Sequence, residues 1–255
     1  MIEPTLFIGA SLSILSAVIY FYVGRVLGQR HLASAESSMA WYLFITWWYA
    51  LGVSTLSGAV LSLLGALGVL GVALFTTFTL VNLMAICVAL HGLLFYLLYL
   101  FTGSKKWLGP LTAFYIAYYI LLVYYILASD PVGVSVRRWS AALEYENQIR
   151  GPLFLIALFL LVVPQIVGSL AYFTLYFRVK TVTQKYRILL VSWSIIIWFM
   201  SSLIASLSGL SQFDAWQVLS RFIALSASLT ILFAYQPPSW VKRRFHVTSI
   251  AEEAT

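Results

Sequence analysis

VLGVALFTTFTLVNLMAICVALHGLLFYLLYLFT, residues 69–102, runs for 34 residues without one Asp, Glu, Lys or Arg. About 20 apolar residues in a helix suffice to cross the ~30 Å hydrocarbon layer of a bilayer. The only internal breaks are single glycines such as Gly92, and splitting the run would need a polar hairpin that is absent. It reads as one long or tilted membrane helix.

The pattern recurs along the chain. Of 255 residues, 62% are hydrophobic and 9% charged, against about 45–50% and about 25% in a soluble domain. Spanning runs fall at 5–27, 40–64, 69–102, 109–128, 151–177, 188–210 and 216–235. They predict an all-α polytopic protein, a seven-helix bundle over residues 1–236 with a short basic tail at 237–255. The N-terminus has Glu3 where a cleaved signal peptide would have basic residues, so the first run is expected to be retained. The tail is expected to be too short for an enzymatic output domain.

Orientation follows from the basic residues between the runs. Arg25, Arg30, Lys105, Lys106, Arg178, Lys180, Lys185, Arg187, Lys242, Arg243 and Arg244 lie on one side, and only Arg137, Arg138 and Arg150 on the other. The bias of eleven to three places the N-terminus outside and the tail in the cytoplasm of a cell, as a multi-pass protein of the cell membrane. The net charge of +7 is gathered in short clusters beside apolar runs. Such clusters fit topology signals and contacts to anionic lipid, not nucleic acid. Cys87 is the one cysteine, which excludes an intrachain disulfide, a thiolate metal site and a CxxC redox pair.

The longest connection, 129–150 on the outer side, contains SAALEYEN, expected as a short amphipathic helix. Small side chains recur every fourth residue at Ser201, Ala205 and Gly209 and at Ser220, Ala224 and Ser228. Such rows let helices approach closely in lipid, so the sixth and seventh helices are expected to pack tightly.

Strongly polar groups inside a span are costly and therefore candidates for function. Arg221 is the one clear charge within a run. It is read either as snorkelling outward to Asp214, Glu144, Glu146 or lipid phosphate, or as the anchor for an anionic ligand entering from outside. His91 and Asn82 in the third run are either helix-to-helix hydrogen bonds or ligand contacts. His31 and His246 lie in cytoplasmic segments, so a bis-histidine haem is excluded. Pro164 is expected to kink the fifth helix beside Gln165 and open room in the bundle. Trp47, Trp48 and Trp198 lie deep, either as bundle packing or lining a cavity for an apolar or aromatic ligand. The tyrosine row of the fourth helix (Tyr115, Tyr118, Tyr119, Tyr124, Tyr125) is read as a lipid or subunit contact.

The last helix has no lysine for a retinal Schiff base, and HExxH, GxSxG and paired membrane carboxylates are missing. The chain is therefore expected not to be an enzyme and to need no cofactor or metal.

GRVLGQRH, AWYLFITWWYALG, FYLLYLFTGSKKW and YFRVKTVTQKYR, the last leading into the sixth helix, together resemble the seven-helix N-terminal region of prokaryotic sensor histidine kinases. The resemblance runs from about residue 5 to 236 and implies a sensor bundle that passes its signal to a separate protein. Its ligand would be small or amphiphilic and enter from outside, with Arg221, Asn82, Gln165, Trp48, Trp198 and His91 as candidate contacts. Arg178, Lys180, Lys185, Arg187, Lys242, Arg243 and Arg244 would make the cytoplasmic contacts. An accessory subunit of a larger membrane complex and, more weakly, a small-solute or lipid transporter remain as alternatives.

Overall fold

A backbone surrounded by hydrocarbon must satisfy its own N–H and C=O groups, which a helix does within one segment. The computed structural model of the chain describes residues 5–33, 39–146, 163–164, 166–210, 215–249 and 252, with residues 31–33 and 206–210 as backbone only. In chain order, its helices are α1 (Thr5–Ala33), α2 (Met39–Ala66), α3 (Val72–Thr102), α4 (Leu108–Ala128), the shorter α5 (Ile166–Phe177), α6 (Val182–Leu210), α7 (Ala215–Tyr235) and α8 (Ser239–Phe245). Six of them (α1 to α4, α6 and α7) are long and apolar enough to cross a membrane. The chain is a multi-pass helical membrane protein. Of the expected 151–177 run, residues 151–162 and Gln165 lie outside the described residues, while Val163 and Pro164 are helical.

The 69–102 run is a single helix of 31 residues, about 46 Å long at ~1.5 Å per residue. Glycine ends it: Gly103 takes φ 64° and donates its N–H to the Tyr99 carbonyl at 2.8 Å, the left-handed closure that glycine adopts without steric cost. Gly68, at φ 72°, turns the chain between α2 and α3 in the same way. Two helices extend past their apolar runs, α1 to Ala33 and α6 from Val182. Arg30, Lys185 and Arg187 therefore lie on helices, because lysine and arginine are good helix formers and hydropathy marks only the lipid-buried part.

The 129–150 connection departs from expectation. Ala141–Tyr145 is strand β2, antiparallel to β1 (Pro131–Val136), not a helix. Its alanines, leucine and glutamate favour a helix locally, but so short a helix is marginal alone. The valine-rich partner strand and the buried Leu143 favour the hairpin. The hairpin lies over the turn between α2 and α3, and the Thr5 hydroxyl donates to the Arg138 carbonyl. The bundle thus has a hairpin end and, opposite it, a tail end bearing α8.

Around the bundle α3 packs on α2, α2 on α1, α1 on α7 and α7 on α6. The Ser169 hydroxyl of α5 donates to the Ser192 carbonyl of α6 at 3.0 Å, and Gly168 lies against Leu93 and Leu97 of α3. These contacts close a ring of α1, α2, α3, α5, α6 and α7, with α4 outside it on α3. The tyrosine row of α4 is divided: Tyr115 and Tyr118 are buried against Cys87 and Leu90 of α3, whereas Tyr124 is 68% exposed. Between α6 and α7, Ser194 Oγ donates to the Ala227 carbonyl at 2.9 Å and Ser201 Oγ to the Ser220 carbonyl at 2.8 Å. The small-residue rows meet at Ser201 and Ser220, while the Ser220 and Ser228 hydroxyls bond back within α7 to the Gln217 and Leu225 carbonyls.

Gly92 marks the closest approach of α2 and α3, since a Cβ there would lie 2.5 Å from the Leu43 carbonyl oxygen. Gly92→Leu should lower stability by about 1–3 kcal/mol through overpacking. Gly58→Ala, which meets nothing within 4 Å, should raise it by roughly 0.5–1 kcal/mol. Thermal unfolding in neutral detergent checks both.

Candidate functional site

The α6–α7 seam directs Ser220 at α6 and leaves the next residue, Arg221, turned toward α1 and α2. Arg221 Nη2 donates to Ser62 Oγ on α2 at 2.6 Å. That hydroxyl donates in turn to the Gly58 carbonyl at 2.9 Å. On α1, Gly9 leaves room for the guanidinium, which any Cβ at that position would overlap. The other terminal nitrogen, Nη1, is buried and has no hydrogen-bond partner among the described residues.

The hairpin lies above this arrangement. One turn beyond Ser62, Gly65 faces Leu6 of α1 and Ala141 of β2, whose atoms would lie 3.3 and 3.8 Å from a Cβ there. No ion pair joins Arg221 to Glu144 or Glu146, and Asp214 lies outside the described residues. The guanidinium reaches sideways to α1 and α2.

The other candidates occupy separate places. Asn82 Oδ1 accepts from Ser54 Oγ at 2.7 Å, joining α2 to α3 about 12 Å along α2 from Ser62. His91 Nε2 lies 2.9 Å from Thr112 Oγ1 on α4. The threonine proton goes to the Leu108 carbonyl at 2.7 Å, so Nε2 is the donor and is occupied. Trp48 stacks on Tyr20 at 6.1 Å and meets Tyr235 edge-on at 6.5 Å in the tail-end half of the ring. Phe44, Tyr96 and Trp47 complete this aromatic core, with Trp198 packed at its margin. Gln165 lies outside the described residues.

Burial also leaves Tyr20 Oη, Trp48 Nε1 and Tyr115 Oη without partners. These groups are neutral, and each costs about 1–3 kcal/mol. Charge raises the cost of burial to several kcal/mol, so the buried guanidinium nitrogens, Nη1 of Arg221 and, at the tail end, Nε of Arg187, stand apart from the neutral groups. Sequence reading missed Gly9 and Ser62. They are small residues on the first two helices, and only the rows on the last two were weighed.

At the tail end several basic residues are held within the chain. Arg187 Nη2 donates to the Thr248 carbonyl at 3.0 Å, Arg178 lies over the Phe101 ring at 5.4 Å and Lys185 over Tyr176 at 5.6 Å. The expected free tail is a short helix followed by a segment docked through buried Val247 and Ser249. Glu252 accepts from Lys242 Nζ at 2.6 Å and from the Ser249 N–H at 2.8 Å. The bond from Lys242, then that from the Ser249 backbone, brings the carboxyl down to about 2. Lys180, Arg243 and Arg244 are exposed.

No protein-family model matches the sequence, and no curated protein matches it.

Gly9→Ala should lower the unfolding temperature, and the loss should shrink when Arg221→Ala is added, because the two positions are in contact. The docked tail should respond to acid. A carboxyl whose pKa is lowered on folding contributes stability above its unfolded value, and that contribution is lost as pH falls toward the folded one. Protection of the Ser249 amide, normalised to its intrinsic exchange rate, should hold above about pH 4.5 and disappear on approach to pH 2.

Proposed function

We propose that this chain is a receptor-like membrane bundle, without catalysis of its own, that takes the anionic head of a small amphiphile at Arg221 and signals through a separate partner protein. In this reading it crosses the cell membrane seven times, with the N-terminus and hairpin outside, as the bias of basic residues favours.

The observation that carries the reading is the partnerless Nη1 of Arg221. A buried charge can often be replaced by an apolar residue with no loss of stability, or with a gain. Arginine at this position is therefore a liability to the unliganded bundle, which a ligand anion would offset. Because Nη1 is sealed from solvent, an anion reaches it only when the surrounding helices part. Binding is thereby coupled to movement. The same α7 carries Tyr235 against Trp48 at the other end and leads into α8, a rigid element from ligand to tail. The resemblance to sensor regions of histidine kinases supports a sensing role.

A second reading, an accessory subunit, draws on α4, which packs chiefly on α3 and exposes Ile116, Ile120 and Tyr124. Stoichiometric proteins co-eluting in mild detergent would favour it over the receptor.

Arg221→Met should raise the unfolding temperature of the unliganded protein in neutral detergent, equivalent to about 1–3 kcal/mol, and abolish stabilisation by added dodecanoate. A lower temperature with dodecanoate stabilisation intact would remove Arg221 from the site.

A further inference from the structure

The donor inventory around Arg221 narrows the ligand class, a step that rests on the receptor reading above. Ser62 has given its proton to the Gly58 carbonyl and accepts from Arg221 Nη2. Gly9 of α1, against the guanidinium, brings no side chain. Of the five guanidinium N–H groups, the two on Nη1 are buried and have no partner among the described residues.

Among the described residues the hairpin carries charges of its own. Glu144, Arg137 and Arg138 are exposed, and Arg138 is held over the Trp139 ring at 5.4 Å. Charges in water are screened and contribute little to a buried site. A doubly charged head would therefore leave one negative charge uncompensated in hydrocarbon, and a neutral head would leave the guanidinium uncompensated.

We infer that the ligand's head is a singly charged oxyanion with two oxygens on one centre, a carboxylate or a phosphodiester, carried on an alkyl chain. Two such oxygens can take both protons of Nη1 or bridge to the guanidinium edge. Phe7 and Ile8 of α1 and Leu219 and Phe222 of α7 are exposed on the two helices that flank Arg221. An alkyl chain leaving the site has apolar surface beside it.

The two heads differ in source. A carboxylate would arrive as a free amphiphile, a phosphodiester as a membrane phospholipid. The test is thermal unfolding of the full chain in neutral detergent, at pH 8.5, with four twelve-carbon or similar probes: dodecanoate, lysophosphatidylglycerol, dodecyl phosphate as its dianion, and dodecanol. The expected result is stabilisation by dodecanoate, lysophosphatidylglycerol or both, and none by the dianion or the alcohol. Dodecanoate alone assigns a free amphiphile, and lysophosphatidylglycerol alone a membrane lipid.

Two variants complete the test. Ser62→Asp supplies the counter-charge internally and should raise the unliganded midpoint while removing the response. Arg221→Gln, which keeps a polar N–H donor without the charge, should raise the half-maximal concentration at least tenfold. Stabilisation by dodecyl phosphate equal to that by dodecanoate would overturn the single-charge assignment and leave the receptor reading standing. No response to any anion, with both variants behaving as the parent, would overturn the receptor reading as well.

Discussion

Hydrocarbon supplies no hydrogen bonds, so each polar group in a membrane bundle must find its partner within the chain or bear the cost of having none. Most of this chain obeys. Ser16, Thr46, Thr55, Ser62, Thr77 and Thr230 each donate a hydroxyl proton back to the carbonyl four residues earlier. Ser194 and Ser201 instead send theirs across to α7. Serine and threonine are thereby made compatible with lipid, and where two helices need a seam the same groups hold it. Against that background the partnerless nitrogen of Arg221 is an exception with a charge on it.

The two ends of the bundle differ in character. Toward the tail, Tyr20, Phe44, Trp47, Trp48, Tyr96 and Tyr235 fill the ring with aromatic area, including the stacked Phe44 and Tyr96 rings at 4.3 Å. That half is closed by packing and resists change, since interiors this dense have few ways to rearrange. Toward the hairpin, small residues prevail: Gly9 and Ala10 on α1, Ser62, Gly65 and Ala66 on α2. Small residues there leave room for the guanidinium between α1 and α2.

The tail end has its own economy of charge. Arg187 holds Thr248, Lys242 holds Glu252, and Arg178 and Lys185 lie over aromatic rings. Sequence reading had assigned all of these to outside contacts. Arg243 and Arg244 are the exposed basic pair of α8, with Trp240 and Phe245 exposed beside them.

The helices were legible from the chain alone because hydropathy acts locally. A run such as 72–102 has no soluble alternative, and glycine at 68 and 103 closes helices by its own backbone freedom. The small-residue rows of α6 and α7 were legible for a similar reason, a fourfold spacing that marks one helix face. The hairpin was not, because AALEY is helical by propensity and becomes a strand only against PVGVSV, a pairing decided by contact. Nor was the site. Arg221 could be seen as a lone charge, but Gly9, Ser62 and Arg221 lie as far as 212 positions apart. Whether the guanidinium turned outward to water or sideways between helices depended on how α1, α2 and α7 meet. Side-chain type and spacing determined where the membrane lies along this chain; the crossing of three distant helices decided which of its polar groups would be left without a partner.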